Sequence, residues 1–328
     1  MIELFGVFLL ALAVITAIGV VQARNLFAGV MLMGIFSLLM AATFFLLDAA
    51  DVALTEAAVG AGISTVLMLS ALALSGAEEK ARSRSRILAL IVVTVTAATV
   101  IYATFEKPRL GDPNAPVQQH VAPWYFDMTQ EAIEIPNVVT AVLSSFRGYD
   151  TLGEVIVVFT AGIGVLFLIG AAAPKGRASP SQGDLPVGLK HHQPIRVVGK
   201  LAIPFILLFA FYVQFHGEYS PGGGFQAGAL FAAAIILYGM LEGEATALSI
   251  IPAPVLFAMS AGGALLFGGV GVVCMLLGGN FLQYDVLLAG SPVGAQQMGI
   301  IAIELGVGIT VAGTLLSIFF AFATRDQS

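Results

Sequence analysis

Glu56, Glu154 and Glu304 sit inside or at the mouth of long apolar runs, where an ionised side chain is costly in lipid and therefore informative. Carboxylates in such places can pass protons along water and titratable neighbours, or offer oxygen ligands to a monovalent cation. Asp51, Leu54, Thr55 and Glu56 lead into one run that continues with Gly60 and Gly62. Asp150, Leu152 and Glu154 lead into another that continues with Gly162 and Gly164, so both runs open with an outer aspartate, a leucine and a glutamate, followed by small residues. Asp150 and Glu154 are four apart, share one helical face, and could exchange a proton through water. Thr55 and Glu56 form a similar polar spot. The plainer alternative is a set of headgroup-level carboxylates that are solvated, cap helices or pair with Arg147. Glu304 is the deepest by counting, seven residues into its run, and needs either a partner or a water-filled crevice; Gln296 and Gln297 precede it by about two turns.

A second polar feature is the stretch from His216 and Gly217 through Glu218, Tyr219, Ser220, Pro221, Gly222, Gly223 and Gly224 to Phe225 and Gly228, a turn between two apolar runs. Glycine lets main chain approach closely and Pro221 sets the exit direction. Its plain reading is a tight surface hairpin. His216 ends a run and titrates near neutral pH, with interfacial anchoring as its simplest role. Asp285, in a loop, and His191 and His192, in a linker, are expected to be solvated.

The elements that must position these groups follow from composition. Of the 328 residues 58% are hydrophobic and only 10% charged, with a mean hydropathy of +0.96, which predicts an all-α polytopic membrane protein. About nine runs are long enough to cross the hydrocarbon core as helices, near 3–22, 25–47, 52–75, 87–105, 152–172, 199–216, 224–241, 255–277 and 297–322. The eighth is interrupted by Gly262, Gly263, Gly268, Gly269 and Gly271. The first lacks a basic leader and reads as a retained helix. Lys80, Arg82, Arg84 and Arg86, then Lys175, Arg177, Lys190, Arg196 and Lys200, place two loops in the cytoplasm, with Arg24 and Arg325 agreeing, so the N-terminus lies outside and the C-terminus inside.

The chain divides into a three-helix module over 1–78, a two-helix module with a long outer loop over 79–175, a cytoplasmic linker over 176–196 and a four-helix domain over 197–328. Pro108, Pro113, Pro116, Pro123 and Pro136 predict an irregular early outer loop with Trp124 and Tyr125 near the interface, while 137–147 predicts a short surface helix leading inward. Gly224 with Gly228, and Gly239 with Gly243, have the spacing that lets helices touch, within the chain or between chains. A net charge of −6 without a basic face argues against nucleic acid. Cys274 stands alone and the histidines are not spaced as metal or haem ligands, so no metal or cofactor is expected. Gly222–Gly224 lacks the lysine and hydroxyl of a phosphate loop.

The run from Ile203 and Pro204 to Ala210, followed by His216, Gly217 and the Pro221–Gly228 stretch, resembles the MnhB-type component of the Mrp (Mnh) multisubunit cation/proton antiporters, with spans six to nine as its four helices. Asp51–Gly62 resembles a small membrane module in the C-terminal part of the MnhA-type component, and Phe146–Gly164 the module that follows it there. The same modules occur as separate small subunits in membrane-bound energy-converting hydrogenases. The resemblance covers nearly the whole chain. It implies a membrane subunit of a proton-driven sodium antiporter in the bacterial cytoplasmic membrane, carrying Na+ and H+ and doing no enzymatic chemistry. Its partners would be other Mrp-type subunits, including a large MnhA-type antiporter-like domain and the MnhC-type and MnhD-type proteins. Glu56 and Glu154 fall where those modules carry membrane glutamates, and with Asp51, Thr55, Asp150 and Glu304 they make up the candidate ion or proton path. His216, Gly217, Pro221, Gly222, Gly223, Gly224, Phe225 and Gly228 form a structural signature that organises the last four helices.

Three departures stand out. The large lysine-bearing antiporter-like domain has no counterpart here and no span is expected to contain lysine; Glu304 stands where the resemblance implies an acidic residue of the aspartate type; and all modules are fused in one chain. Two alternatives stay open, a membrane-arm subunit of an energy-converting hydrogenase or related redox complex, and a purely structural scaffold.

Overall fold

Because lipid offers no hydrogen bonds, each spanning segment must satisfy its own backbone, and the apolar runs fold as helices. The computed structural model describes residues 2–75, 86–109, 111–170 and 193–323. Lys80, Arg82, Arg84, Lys175, Arg177, Lys190, His191, His192 and Arg325 lie outside the described residues, as does most of the 176–196 linker. Among the described residues nine helices are long and apolar enough to cross a membrane, one for each expected run, and there is no strand. They are α1 (Ile2–Gln22), α2 (Leu26–Leu46), α3 (Ala50–Thr55, the π-helical Glu56–Ile63 and Ser64–Ser75), α4 (Arg86–Thr104), α5 (Gly148–Gly170), α6 (Gln193–His216), α7 (Gly224–Glu242), α8 (Ala253–Leu276) and α9 (Pro292–Ala323).

Several helices begin earlier than the apolar pattern predicts. α5 starts at Gly148, which brings both Asp150 and Glu154 onto the helix. α9 starts at Pro292, so Glu304 lies twelve residues in (304 − 292) rather than seven. α6 starts at Gln193 and takes in Arg196; Lys200, already within the expected 199–216 run, lies on the helix too, which corrects the expectation of lysine-free spans. Both cations reach Glu242 at the end of α7, Arg196 with two bonds of 2.6 and 2.7 Å and Lys200 at 2.8 Å. A bidentate clamp of this kind lets a charged helix end sit among apolar neighbours. α8 runs unbroken through its five glycines.

The segment between α4 and α5 is irregular over the described residues from 105 to 115, as its prolines predict, but beyond that it becomes helical, as Val117–Val121, Ala122–Met128 and Thr129–Ile133. Pro116 caps the first and Pro123 falls in the first turn of the second, positions where a missing N–H costs nothing. The expected helix over 137–147 forms as Val138–Ala141 and Val142–Phe146. One side of it is buried, at Ala141 and Ser144, while Val139 and Leu143 on the other are exposed.

α9 is the axis, buried along most of its length and packed against α7, α8 and α5. α3 reaches α7 and α9 from the first module, with α2 and α1 behind it. Every described side chain of α4 is exposed. The closest approach is between α7 and α9: a Cβ on Gly224 would lie 2.0 Å from the Glu304 carbonyl oxygen, and one on Gly228 2.6 Å from that of Gly308. The small-residue spacing at Gly224 and Gly228 therefore serves a contact within the chain.

Substituting Gly224→Ala or Gly228→Ala forces this backbone contact apart and is expected to cost about 1–3 kcal/mol. Gly268→Ala and Gly269→Ala, where an added Cβ meets nothing within 4 Å, should leave the midpoint unchanged or raise it slightly. Thermal unfolding in detergent, compared across the four variants, checks this contrast.

Candidate functional site

Glu304 makes the site. Its Oε2 accepts the Gly224 N–H at 2.5 Å and its Oε1 accepts the Ser144 hydroxyl. Gly224 opens α7, so its N–H is one of those a helix start leaves unpaired, at the positive end of the helix dipole. Gly223 reaches this arrangement with φ +133, a conformation natural only to glycine, and a Cβ there would come within 3.0 Å of the Glu304 Oε2. Ser144 is held in turn by Tyr284, whose buried hydroxyl donates to the Ser144 carbonyl at 2.9 Å and whose ring lies against Gly299 of α9. The expected glutamine neighbours of Glu304 are engaged elsewhere: Gln296 accepts from Ser145 at 2.8 Å, and Gln297 donates to the Ile133 carbonyl at 3.0 Å.

Asn137 ties the glycine turn to the first module. Its side-chain amide donates to the carbonyls of Gly217 (3.0 Å) and Ser220 (3.1 Å) and to Asp51 Oδ1 (3.3 Å). The same Asp51 oxygen accepts the Gly222 N–H at 3.2 Å, and Thr140 donates to the Gly217 carbonyl at 2.7 Å. One turn further along α3, Thr55 accepts from the buried Gln226 of α7 at 2.7 Å.

A cavity of about 690 Å3 opens between these elements, lined by Asp51, Thr55, Thr140, Glu154, Gln226 and Glu304 among apolar residues such as Val155 and Phe225. Glu154 of α5 and Glu304 of α9 face one space. The structure thus brings together Asp51 and Thr55 of α3, Glu154 of α5 and Glu304 of α9. Asp150 stays outside, on the exposed start of α5, where Arg147 donates to it at 2.6 Å. Glu56 also lies apart: next to Thr55 in sequence, it folds back over Gly60 beside Ser37 of α2. Adjacent residues on a helix point about 100° apart, so the two neighbours face different sides, and a π-helical stretch of the kind often found at functional sites begins at Glu56.

His216 stacks on Tyr212 at 4.8 Å and its carbonyl receives the Tyr219 and Ser220 N–H groups at 3.0 Å, an anchoring arrangement. Asp285 departs from expectation, since its Oδ1 is buried without a hydrogen-bond partner among the described residues. Cys274 is buried and unpaired, and no group of metal-ligating side chains occurs among the described residues. Glu218 is the residue that sequence reading passed over. Its carbonyl holds the Asn137 N–H at 3.0 Å, its Oε1 is buried without a partner among the described residues, and burial, then the Glu304 charge, push its carboxyl above the usual carboxylate range. Only its place within the glycine turn marked it.

Residues 194–317 match the family described as a domain related to the MnhB subunit of Na+/H+ antiporter, while residues 11–77 match MbhD and residues 80–181 match MbhE, two subunits of MBH. The antiporter subunit mnhB2 of Staphylococcus aureus (strain Newman) is 30% identical over 131 residues, covering 39% of this chain and 92% of that protein. The Mrp complex from Dietzia sp. DQ12-45-1b contains a chain that superposes with a TM-score of 0.76 at 25% identity, over 98% of this chain and 35% of that one. This chain therefore spans about a third of that longer chain. The archaeal membrane-bound sulfane sulfur reductase superposes with a TM-score of 0.53 at 27% identity, over 73% of this chain and 97% of its own.

The raised Glu218 pKa fixes the sign of a pH effect. The folded chain holds this proton more tightly than the unfolded chain, so stability falls as pH rises from the ordinary carboxylate range through the raised folded value. Glu218→Gln removes that loss. Its thermal midpoint should exceed that of the parent at neutral pH, and the gap should close on acidification toward the unfolded pKa.

Proposed function

The chain belongs to the MnhB-related family of Na+/H+ antiporter subunits, and from this premise we propose that it is a membrane subunit of a multisubunit Na+/H+ antiporter, joining two hydrogenase-type modules to an MnhB-type domain. It is a multi-pass membrane protein. In this reading it resides in the bacterial cytoplasmic membrane with its N-terminus outside, transports without enzymatic chemistry of its own, and assembles with other Mrp-type subunits.

The observation that carries the reading is the cavity itself. Three carboxylates, Asp51, Glu154 and Glu304, line one cavity of about 690 Å3 together with Thr55, Thr140 and Gln226. Two like charges so placed favour uptake of a proton or a cation between them. Glu304 is fixed by the Gly224 N–H and the Ser144 hydroxyl, so an arriving proton or Na+ competes for oxygens whose position is already set. Glu56, at the π-helical stretch beside Ser37, would serve a separate branch within the first module. Asp150, paired with Arg147, would tune the field at the mouth of the path and not carry the ion.

Glu304→Gln and Glu154→Gln, in complexes assembled normally, are expected to slow sodium-dependent proton exchange in everted vesicles by about a hundredfold, the scale on which a positioned proton-transfer group contributes. A scaffold role predicts the opposite partition: complex yield falls while exchange per complex is unchanged. The second reading, a membrane arm of a redox complex, is favoured by the MbhD and MbhE matches and by the likeness to the sulfane sulfur reductase. Purified complex in proteoliposomes separates the two. Exchange driven by a sodium gradient without electron donor or acceptor supports antiport, and exchange that needs a redox couple supports the other.

A further inference from the structure

Asn137 stands at the start of the short helix Val138–Ala141, outside the lining of the large cavity, and every polar group it carries is engaged. Its Oδ1 accepts the Val139 and Thr140 N–H groups at 2.9 and 3.2 Å, which caps the helix. Those two bonds fix which way the amide faces. Its NH2 group is therefore turned to the acceptors on the other side, the Gly217 and Ser220 carbonyls and Asp51 Oδ1, among which two hydrogens are shared. A cap needs only the acceptor, and serine or aspartate would supply it as well. What asparagine adds is the donor.

The acceptors belong to the glycine turn and to α3. Within the turn, main chain packs on main chain: a Cβ on Gly217 would lie 3.0 Å from the Gly223 nitrogen, and one on Gly222 2.7 Å from the Val213 carbonyl oxygen. A shift at Gly217 or Ser220 is therefore passed on to Gly222, Gly223 and Gly224, because close-packed atoms leave no slack to absorb it. Two N–H groups of that stretch end on carboxylates of the cavity, Gly222 on Asp51 Oδ1 at 3.2 Å and Gly224 on Glu304 Oε2 at 2.5 Å. Asn137 thus holds both partners of the first bond and, through the turn, the donor of the second.

We propose that Asn137 is the positioning residue of the carboxylate site, keeping the glycine turn in the register at which the Gly222 and Gly224 N–H groups meet Asp51 and Glu304. It acts on a transported ion only through the oxygens it places. The hold on the turn stands on the hydrogen bonds; its consequence for sodium rests on the antiport reading above.

The test uses the whole complex in proteoliposomes, with Asn137→Ser and Asn137→Asp. Both keep an oxygen for the helix cap, but serine loses the donors and aspartate sets a carboxylate against two carbonyls and Asp51. The sodium concentration for half-maximal exchange should rise about tenfold in Asn137→Ser, the scale of one hydrogen bond, and further in Asn137→Asp, with the maximal rate per complex kept. Amide hydrogen exchange gives a readout independent of transport. Deuterium uptake at Gly222 and Gly224 should increase in both variants and stay at the parent level over Val138–Ala141, whose cap is retained. A purely structural asparagine predicts lower yield and thermal midpoint with the sodium requirement unchanged. That result, unchanged uptake at Gly222 and Gly224, or an equal rise over Val138–Ala141 overturns the proposal. If Asn137→Asp does not assemble, Asn137→Ser carries both measurements. If instead Glu304→Gln and Glu154→Gln fail to slow exchange, it is the antiport reading that fails, and the uptake still decides whether Asn137 holds the turn.

Discussion

The bond from the first N–H of α7 to the Glu304 carboxylate governs the arrangement around it. A carboxylate on a membrane-spanning helix must be compensated, and here the donors are neutral: the Gly224 N–H and the Ser144 hydroxyl, aided by the positive end of the helix dipole. For that N–H to arrive, the start of α7 has to meet the main chain of α9 directly, and a Cβ on Gly224 would leave only 2.0 Å to the Glu304 carbonyl oxygen. Glycine at 224 follows, and so does glycine at 223, where the chain turns with φ +133. The turn is then held by Asn137 and Asp51, and Ser144 by Tyr284. One buried carboxyl thus recruits residues from α3, the segment before α5, the glycine turn and the loop before α9.

This is why the glycine turn and the carboxylate, which look like separate features in the sequence, belong to one site. The turn supplies the hydrogen bond that lets the carboxylate exist at its depth. Eighty residues separate Gly224 from Glu304, and no periodicity or motif spacing links them. The nine helices are legible because hydrophobic length is a local property. The early starts of α5, α6 and α9 are not, because their first turns carry Arg196, Asp150 or Gln296 and do not look like lipid-embedded helix. The helical outer segment is hidden by prolines that turn out to occupy first-turn positions.

Neighbouring residues can also part company. Thr55 and Glu56 read as one polar spot, yet Thr55 bonds Gln226 of α7 while Glu56 lies beside Ser37 of α2. Adjacent residues on a helix point about 100° apart, so one short stretch of α3 serves both the α7 side and the α2 side of the bundle, and which side each takes depends on partners far away in sequence.

The chemistry along α9 changes with depth in the direction that solvation energies demand. Glu304 is twelve residues, about 18 Å, from the start of the helix, and Thr314 twenty-two residues, about 33 Å. The carboxylates stand where the outer segment and two helix starts can supply donors. Beyond them, among α5, α8 and α9, the available polar groups are hydroxyls bonded to carbonyls four residues back. A carboxylate at Thr314 would have no free N–H within reach, because every backbone donor in a helix interior is already used. A hydroxyl needs only a carbonyl of its own helix, or a water. A charged group near a helix start followed by neutral hydroxyls further in is therefore the order in which a polar seam can be carried into a bundle whose outer faces are apolar.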